Sequence, residues 1–221
     1  MQPTIFHTYN KAKLRFFLLM LPLSYLALAG ATRSRLVERF DGGGTQAFSR
    51  LREGPLGAPW LQEAARDVTA FGSITGLSLV TLVAVGSLLA LKRLKLAMFV
   101  AACVLSAFAA SSLLKHLFDR PRPEPSGHLT QVFTSSFPSA HAMHSAAVYL
   151  LLGAVIANSV ASRRCKIYIF CAVFSTTAVV GLSRAYLGVH WPTDIVAGWL
   201  AGVFWVLSWC ACADALSRRQ V

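Results

Sequence analysis

The chain has 221 residues, 55% of them hydrophobic and 14% charged, with 21 Lys and Arg against 9 Asp and Glu for a formal net charge of +12. So apolar a composition excludes an ordinary soluble domain, and the basic residues exclude a nucleic-acid surface because they form neither a stripe nor a helix face. They gather at the ends of apolar runs instead: Lys11, Lys13 and Arg15, then Lys92, Arg93 and Lys95, then Arg163, Arg164 and Lys166, and finally Arg218 and Arg219.

In chain order, apolar stretches of about the ~20 residues that span a bilayer run over 16–31, 68–91, 96–114, 142–161, 167–182 and 195–213. They predict an all-α polytopic membrane protein, a bundle of six transmembrane helices in one domain over 1–221. Pro22 lies in the first span, where it would bend the helix. The basic start, the apolar run and the Ala29-Gly30-Ala31 ending also describe a cleavable signal peptide, although the run is longer than a typical signal core. Gly72 and Gly76, Gly198 and Gly202, and the Ala and Ser residues of the third span allow helices to pack closely, within one bundle or between two. The five cysteines lie in apolar runs or beside Arg163, so no disulfide framework is implied.

The segments rich in Lys and Arg with almost no acid are the N-terminus, 91–96, 162–167 and the C-terminus, which the positive-inside rule assigns to the cytoplasm. The mixed-charge connections 32–67, 115–141 and 183–194 then face outward, as in a bacterial inner-membrane protein with its site on the extracytoplasmic side. Within 32–67, Gly42-Gly43-Gly44 and Gly54-Pro55 read as turns and 60–67 as a short interfacial helix, with no chemistry assigned.

Unusual polar residues gather in two of the outward connections, each ending where an apolar helix begins. The first holds Lys115, Arg120, Arg122 and then Ser136-Phe-Pro-Ser-Ala-His141; the second holds Ser183, Arg184, His190 and Asp194. A phosphate group needs fixed positive charge and backbone N–H donors, and a helix start supplies the donors with a partial positive charge. Pro138, Ser139, Ala140 and His141 stand at such a start, while Lys115, Arg122 and Arg184 supply cations. Two histidines divide the remaining work between attack on phosphorus and protonation of the leaving oxygen. Asp194, four residues after His190, is spaced to hold one imidazole nitrogen. No metal and no cofactor is called for.

These residues resemble the type-2 phosphatidic acid phosphatase family, membrane relatives of the vanadium haloperoxidases, whose signature is K-x6-R-P, then P-S-G-H, then S-R-x5-H-x3-D. Lys115, Arg122 and Pro123 match the first element; Ser183, Arg184, His190 and Asp194 match the third. Pro138, Ser139 and His141 match the second, with Ala140 in the place of glycine, a departure of small cost if only the backbone amide is used. The resemblance implies His190 as nucleophile, Asp194 as its orienting partner and His141 as the acid that later activates water. It further implies Lys115, Arg122, Ser139, the Ala140 amide and Arg184 as phosphoryl ligands.

A literal Pro-Ser-Gly-His also occurs at 125–128, but it leads into a mixed loop with no helix to lend donors, and Gly127 there reads as a turn residue. The spacing favours Arg122 over Arg120, leaving Arg120 as a loop charge near Asp119. His144 reads as a polar residue packed within the bundle or a partner of His141, and His7 and His116 as ordinary side chains. Trp191, Trp199, Trp205 and Trp209 read as packing or interface aromatics. The expected activity is metal-independent hydrolysis of a lipid phosphate or diphosphate, such as undecaprenyl diphosphate, phosphatidylglycerol phosphate or phosphatidate, through a phospho-histidine. The expected partners are that lipid and the bilayer, with no nucleic acid and the oligomeric state open. A lipid phosphotransferase using the same intermediate and a non-catalytic lipid or anion transporter are the competing classes. The transporter predicts midplane charges, whereas these charges lie at helix ends.

Overall fold

The structure, a computed structural model, describes residues 11–54, 57–124 and 127–218. Among these residues it is all helical: α1 (Lys11–Ala31), α2 (Arg35–Glu53), α3 (Pro59–Ala70), α4 (Ile74–Ala90), α5 (Leu94–Phe118), α6 (Ala140–Ser159), α7 (Arg163–Tyr186) and α8 (Pro192–Arg218). Helices α1, α5, α6, α7 and α8 are each long and apolar enough to cross a membrane. Their outward faces carry exposed Leu26, Leu105, Leu113 and Phe174, side chains that water would disfavour and lipid accepts. The protein is an integral membrane protein.

The stretch at 68–91 differs from the single span expected. It bends by 47° between α3 and α4, because Ser73 ends one helix and starts the next, its Oγ accepting from Gly76 N at 3.0 Å. Gly72 makes the bend possible in this place: a Cβ there would run into Val180 and stand 3.2 Å from the His141 carbonyl oxygen. With α4 only 17 residues long, the tail of α3 must complete this crossing if α3 and α4 form one span.

Helix α6 is the centre of the bundle, packed against α4, α5, α7 and α8. Its contact with α8 depends on Gly198 and Gly202, where a Cβ would lie 2.6 Å from Ser139 O and 2.5 Å from Met143 O. These small residues therefore pack inside one bundle. The free cysteines form no disulfide, Trp199 and Trp205 donate to Thr177 O and Ser106 Oγ, and Trp209 packs on Phe99. His144 is buried with its ring 4.6 Å from that of Phe108.

The connection at 32–67 departs most from expectation. The glycine triplet is not a turn but the middle of α2, a helix that is capped by Ser34 and carries Glu38 in its first turn and Arg50 and Arg52 in its last. Those end charges match the helix dipole and offset the ~1 kcal/mol that each interior glycine costs. The expected interfacial helix at 60–67 lies within α3.

Candidate active site

At one end of the bundle α5 and α7 finish while α6 and α8 begin, and the segments between them interlock. Ser139 N donates to Asp194 O at 2.9 Å and Leu129 N to Leu187 O at 3.0 Å. Gly188 turns the chain between α7 and α8 with φ +76, a conformation that a side chain would strain. Both polar connections thus stand on the same end of the molecule, in contact, as the sequence reading required.

His190 is 3% exposed at the centre of this assembly. Its Nδ1 lies 3.4 Å from Asp194 Oδ2 and its Nε2 lies 3.3 Å from Arg122 Nη1. A carboxylate only accepts and a guanidinium only donates, so this network places the ring proton on Nδ1 and leaves a lone pair on Nε2. Burial pushes the His190 pKa well below the ordinary 6.5, and the charges of Arg184, Arg122 and Lys115 add to the effect, while a backbone hydrogen bond with Ser136 opposes it. The imidazole is therefore held neutral, as a nucleophile requires.

Arg184, Arg122 and Lys115 all act electrostatically on the His190 ring, and Arg122 stands at its Nε2. Arg122 also donates to Val189 O, to Thr134 O at 2.7 Å and to Ser135 O at 3.3 Å, and its burial makes its charge costly, lowering its pKa. Lys115 Nζ donates to Ser135 O at 2.6 Å. Arg184 is 5% exposed; its Nη1 donates to Thr69 Oγ1 at 3.1 Å, while its Nε is buried without a hydrogen-bond partner. Ser139 Oγ is likewise buried and unpartnered, and Ser139 does not use it to cap α6. The first amides of α6, Ala140 and His141 among them, have no acceptor within the helix by its geometry. His141, in this first turn, lies within electrostatic reach of Arg184, His190 and Lys115. Two buried polar atoms left unpaired are costly unless a ligand engages them, and a cluster of cations with free donors fits an anion. Among the described residues no cluster of His, Cys, Asp and Glu has metal-binding geometry.

His128 has its Nε2 3.1 Å from Pro123 O; Pro125 and Ser126 of that literal motif lie outside the described residues, as does His7.

Arg120 is the main correction at the site. It is not a loop charge beside Asp119: its Nη1 donates to Asp194 Oδ1 at 2.7 Å and to Thr193 Oγ1 at 3.0 Å, and its Nη2 to Asp41 Oδ2 at 2.8 Å. Trp191 covers it, with the ring centroid 5.5 Å from the guanidinium carbon. Asp41 and Arg52, both on α2, were missed as well. Arg52 Nη1 donates to Tyr186 O at 2.6 Å. The available signal was the charge doublet in Arg-Pro-Arg-Pro and an acid placed beside three glycines, neither of which has a helical or motif spacing that singles it out.

An apolar helical bundle with a buried histidine amid cations defines a membrane protein with a site suited to an anionic group. The chain belongs to the PAP2 superfamily, whose family model matches residues 96–218. It is 29% identical over 189 residues to phosphatidylglycerophosphatase B of Bacillus subtilis, covering 82% of this chain and 87% of that protein. An Escherichia coli protein provisionally named an undecaprenyl-diphosphatase is 31% identical over 183 residues, covering 78% of this chain and 85% of that one. The fold matches the crystal structure of a transmembrane PAP2-type phosphatidylglycerolphosphate phosphatase from Bacillus subtilis with a TM-score of 0.78 at 23% identity, over 92% of this chain and 97% of that one.

Proposed function

We propose that the chain hydrolyses a lipid phosphate or diphosphate through a covalent phospho-histidine on His190, at the extracytoplasmic end of the bundle. The observation that carries this reading is the asymmetry of the His190 ring: Nδ1 faces a carboxylate while Nε2 faces the Arg122 guanidinium, and Ser139 Oγ and Arg184 Nε are buried without a partner. The phosphoryl group enters beside Arg122, with its oxygens on Arg122, Arg184, Lys115, Ser139 and the Ala140 amide. Nε2 attacks phosphorus in line, the P–N bond forms and the P–O bond to the lipid breaks. His141 gives its proton to the departing oxygen. Water then attacks the phospho-histidine, passing a proton to His141 as the P–N bond breaks, which restores both histidines and releases phosphate. Phosphoryl transfer asks chiefly for positioning and charge stabilisation, which accounts for a site with more phosphate ligands than catalysts.

The facing follows from the basic connections Lys92-Arg93 and Arg163-Arg164, at the opposite ends of the same helices, which belong in the cytoplasm. Substrates of this class include those named for its relatives, phosphatidylglycerol phosphate and undecaprenyl diphosphate. The test is phosphate release from a panel of lipid phosphates by the purified protein in detergent. His190→Ala is expected to abolish turnover while phosphate-mimic binding survives, and vanadate is expected to inhibit the unmodified protein. Near-native turnover by His190→Ala overturns the assignment.

A further inference from the structure

Asp41 lies in α2, before the stretch matched by the family model. It is 1% exposed, an acid buried as completely as Asp194 at 0%. Its Oδ1 accepts from Thr193 N at 3.0 Å, and its Oδ2 accepts from Thr193 Oγ1 at 2.6 Å and from Arg120 Nη2 at 2.8 Å. Thr193 N belongs to the first turn of α8, whose amides have no intrahelical acceptor, so Asp41 caps α8 from another helix. Arg120 passes its other nitrogen to Asp194 Oδ1, and Asp194 Oδ2 is left for Trp191 N at 3.0 Å and for His190 Nδ1.

We propose that Asp41 is a positioning residue of the reaction, fixing Arg120 and the first turn of α8 so that Asp194 holds the His190 ring with Nε2 toward phosphorus. This rests on His190 being the nucleophile. The seating of α2 supports it independently. Gly44, one turn after Asp41, meets the start of α8 so closely that a Cβ would stand 2.6 Å from Pro192 Cγ. Arg52, near the end of α2, holds the Tyr186 carbonyl at the end of α7. Helix α2 is thus a strap fastened to both sides of the short connection that carries His190. Asp41 makes no hydrogen bond to Lys115, Arg122, Ser139 or Arg184, and its bonds run to the groups that orient Asp194. At metal sites, residues that orient a ligand from behind alter affinity or activity by about 10–100-fold when changed, and an effect of the same order is expected for a residue that orients Asp194.

The experiment measures phosphate release from phosphatidate in mixed micelles by the full chain. Asp41→Asn is expected to lower kcat about 10–100-fold while KM and the inhibition constant for vanadate stay as in the unmodified protein. In an Arg120→Ala background the same change is expected to lower kcat by a smaller factor than it does alone, because part of the effect of Asp41 runs through Arg120 and the rest through Thr193. Unchanged kcat in Asp41→Asn overturns the proposal, and so does weakening of vanadate in step with kcat, which would make Asp41 part of the phosphate pocket. If Asp41→Asn does not accumulate as folded protein, Thr193→Val removes one of its bonds and is read by the same criteria. His190→Ala in the same assay separates the two failures: turnover retained there removes the nucleophile, whereas its loss with full activity in Asp41→Asn removes only the positioning role.

Discussion

The two flanks of the His190 ring are built on opposite rules. On the Nδ1 side every carboxylate oxygen has a donor, and one arginine is shared between two buried acids, Asp41 and Asp194. On the other flank Arg122 stands at Nε2 and shares the Ser135 O acceptor with Lys115, while the buried Ser139 Oγ and Arg184 Nε have no partner. One flank is complete in the protein alone; the other keeps buried polar atoms that the protein does not pair. Arg120 and Arg122, two positions apart on the same connection, fall on different sides of this divide, so orientation and binding should separate by mutation.

The largest expected effect is on the completed flank. Asp194→Asn keeps the shape but removes the charge that holds the ring proton on Nδ1. By comparison with the equivalent change in serine-protease triads, kcat should fall by about 10⁴-fold. Vanadate should still bind, measured by protection of thermal unfolding. A loss of vanadate binding equal to the loss of kcat would mean the flanks are not independent. Next in size, Arg122→Ala or Arg184→Ala should cost about 10²–10³-fold in kcat, the scale of a lost oxyanion donor, and should weaken vanadate. Arg120→Ala should lower kcat while sparing vanadate, and it leaves Asp41 and Asp194 as buried carboxylates without their cation, a destabilisation of about 3–5 kcal/mol, visible as a lowered Tm in detergent. Equal Tm values for the Arg120 and Arg122 variants would erase the distinction.

The open flank and Asp194 were legible in the sequence, while Asp41 and the role of Arg120 on the completed flank were not, for a physical reason. Lys115, Arg122, Ser139, His141, Arg184, His190 and Asp194 sit at helix ends with fixed spacings, so periodicity and motif reach them directly. The helices were legible for the same reason, since a bilayer demands a minimum apolar length. The role of Asp41 depends on contacts with Arg120 and Thr193, 79 and 152 positions away, and nothing in its neighbours signals such a contact. The Gly42-Gly43-Gly44 triplet misled because local propensity favours a turn, while the end charges and the close approach of Gly44 to Pro192 favour helix. The break at Gly72 was hidden because the apolar run continues through it, and only the packing of His141 and Val180 requires it.

The two flanks are held at a fixed separation by the α6–α8 contact, and this gives a smaller effect. Gly198→Ala puts a methyl where only 2.6 Å separates the Cβ position from Ser139 O. Overpacking of this kind costs about 1–3 kcal/mol and should lower Tm. Because the displaced group is Ser139, on the open flank, KM should rise more than for Gly153→Ala, where the methyl meets only Val173 and Ile169, away from the site.

The smallest effect is on pH dependence, and it tests whether the cations of the open flank act on the nucleophile as well as on phosphate. A base with a depressed pKa keeps its lone pair to lower pH, so the His190 limb of kcat/KM should lie well below 6.5, with activity lost as pH falls through it. Arg122→Ala removes a nearby positive charge, which should raise the His190 pKa and move that limb to higher pH. Burial is the largest cause of the depression and Arg184 the next, and both persist in this variant, so the limb should still not reach 6.5. Using one lipid phosphate for both proteins makes the substrate's own ionisation common to the two profiles, so the difference between them belongs to the enzyme. An unmoved limb would mean that Arg122 touches phosphate alone, and a limb moved to lower pH would reverse the sign that its charge requires.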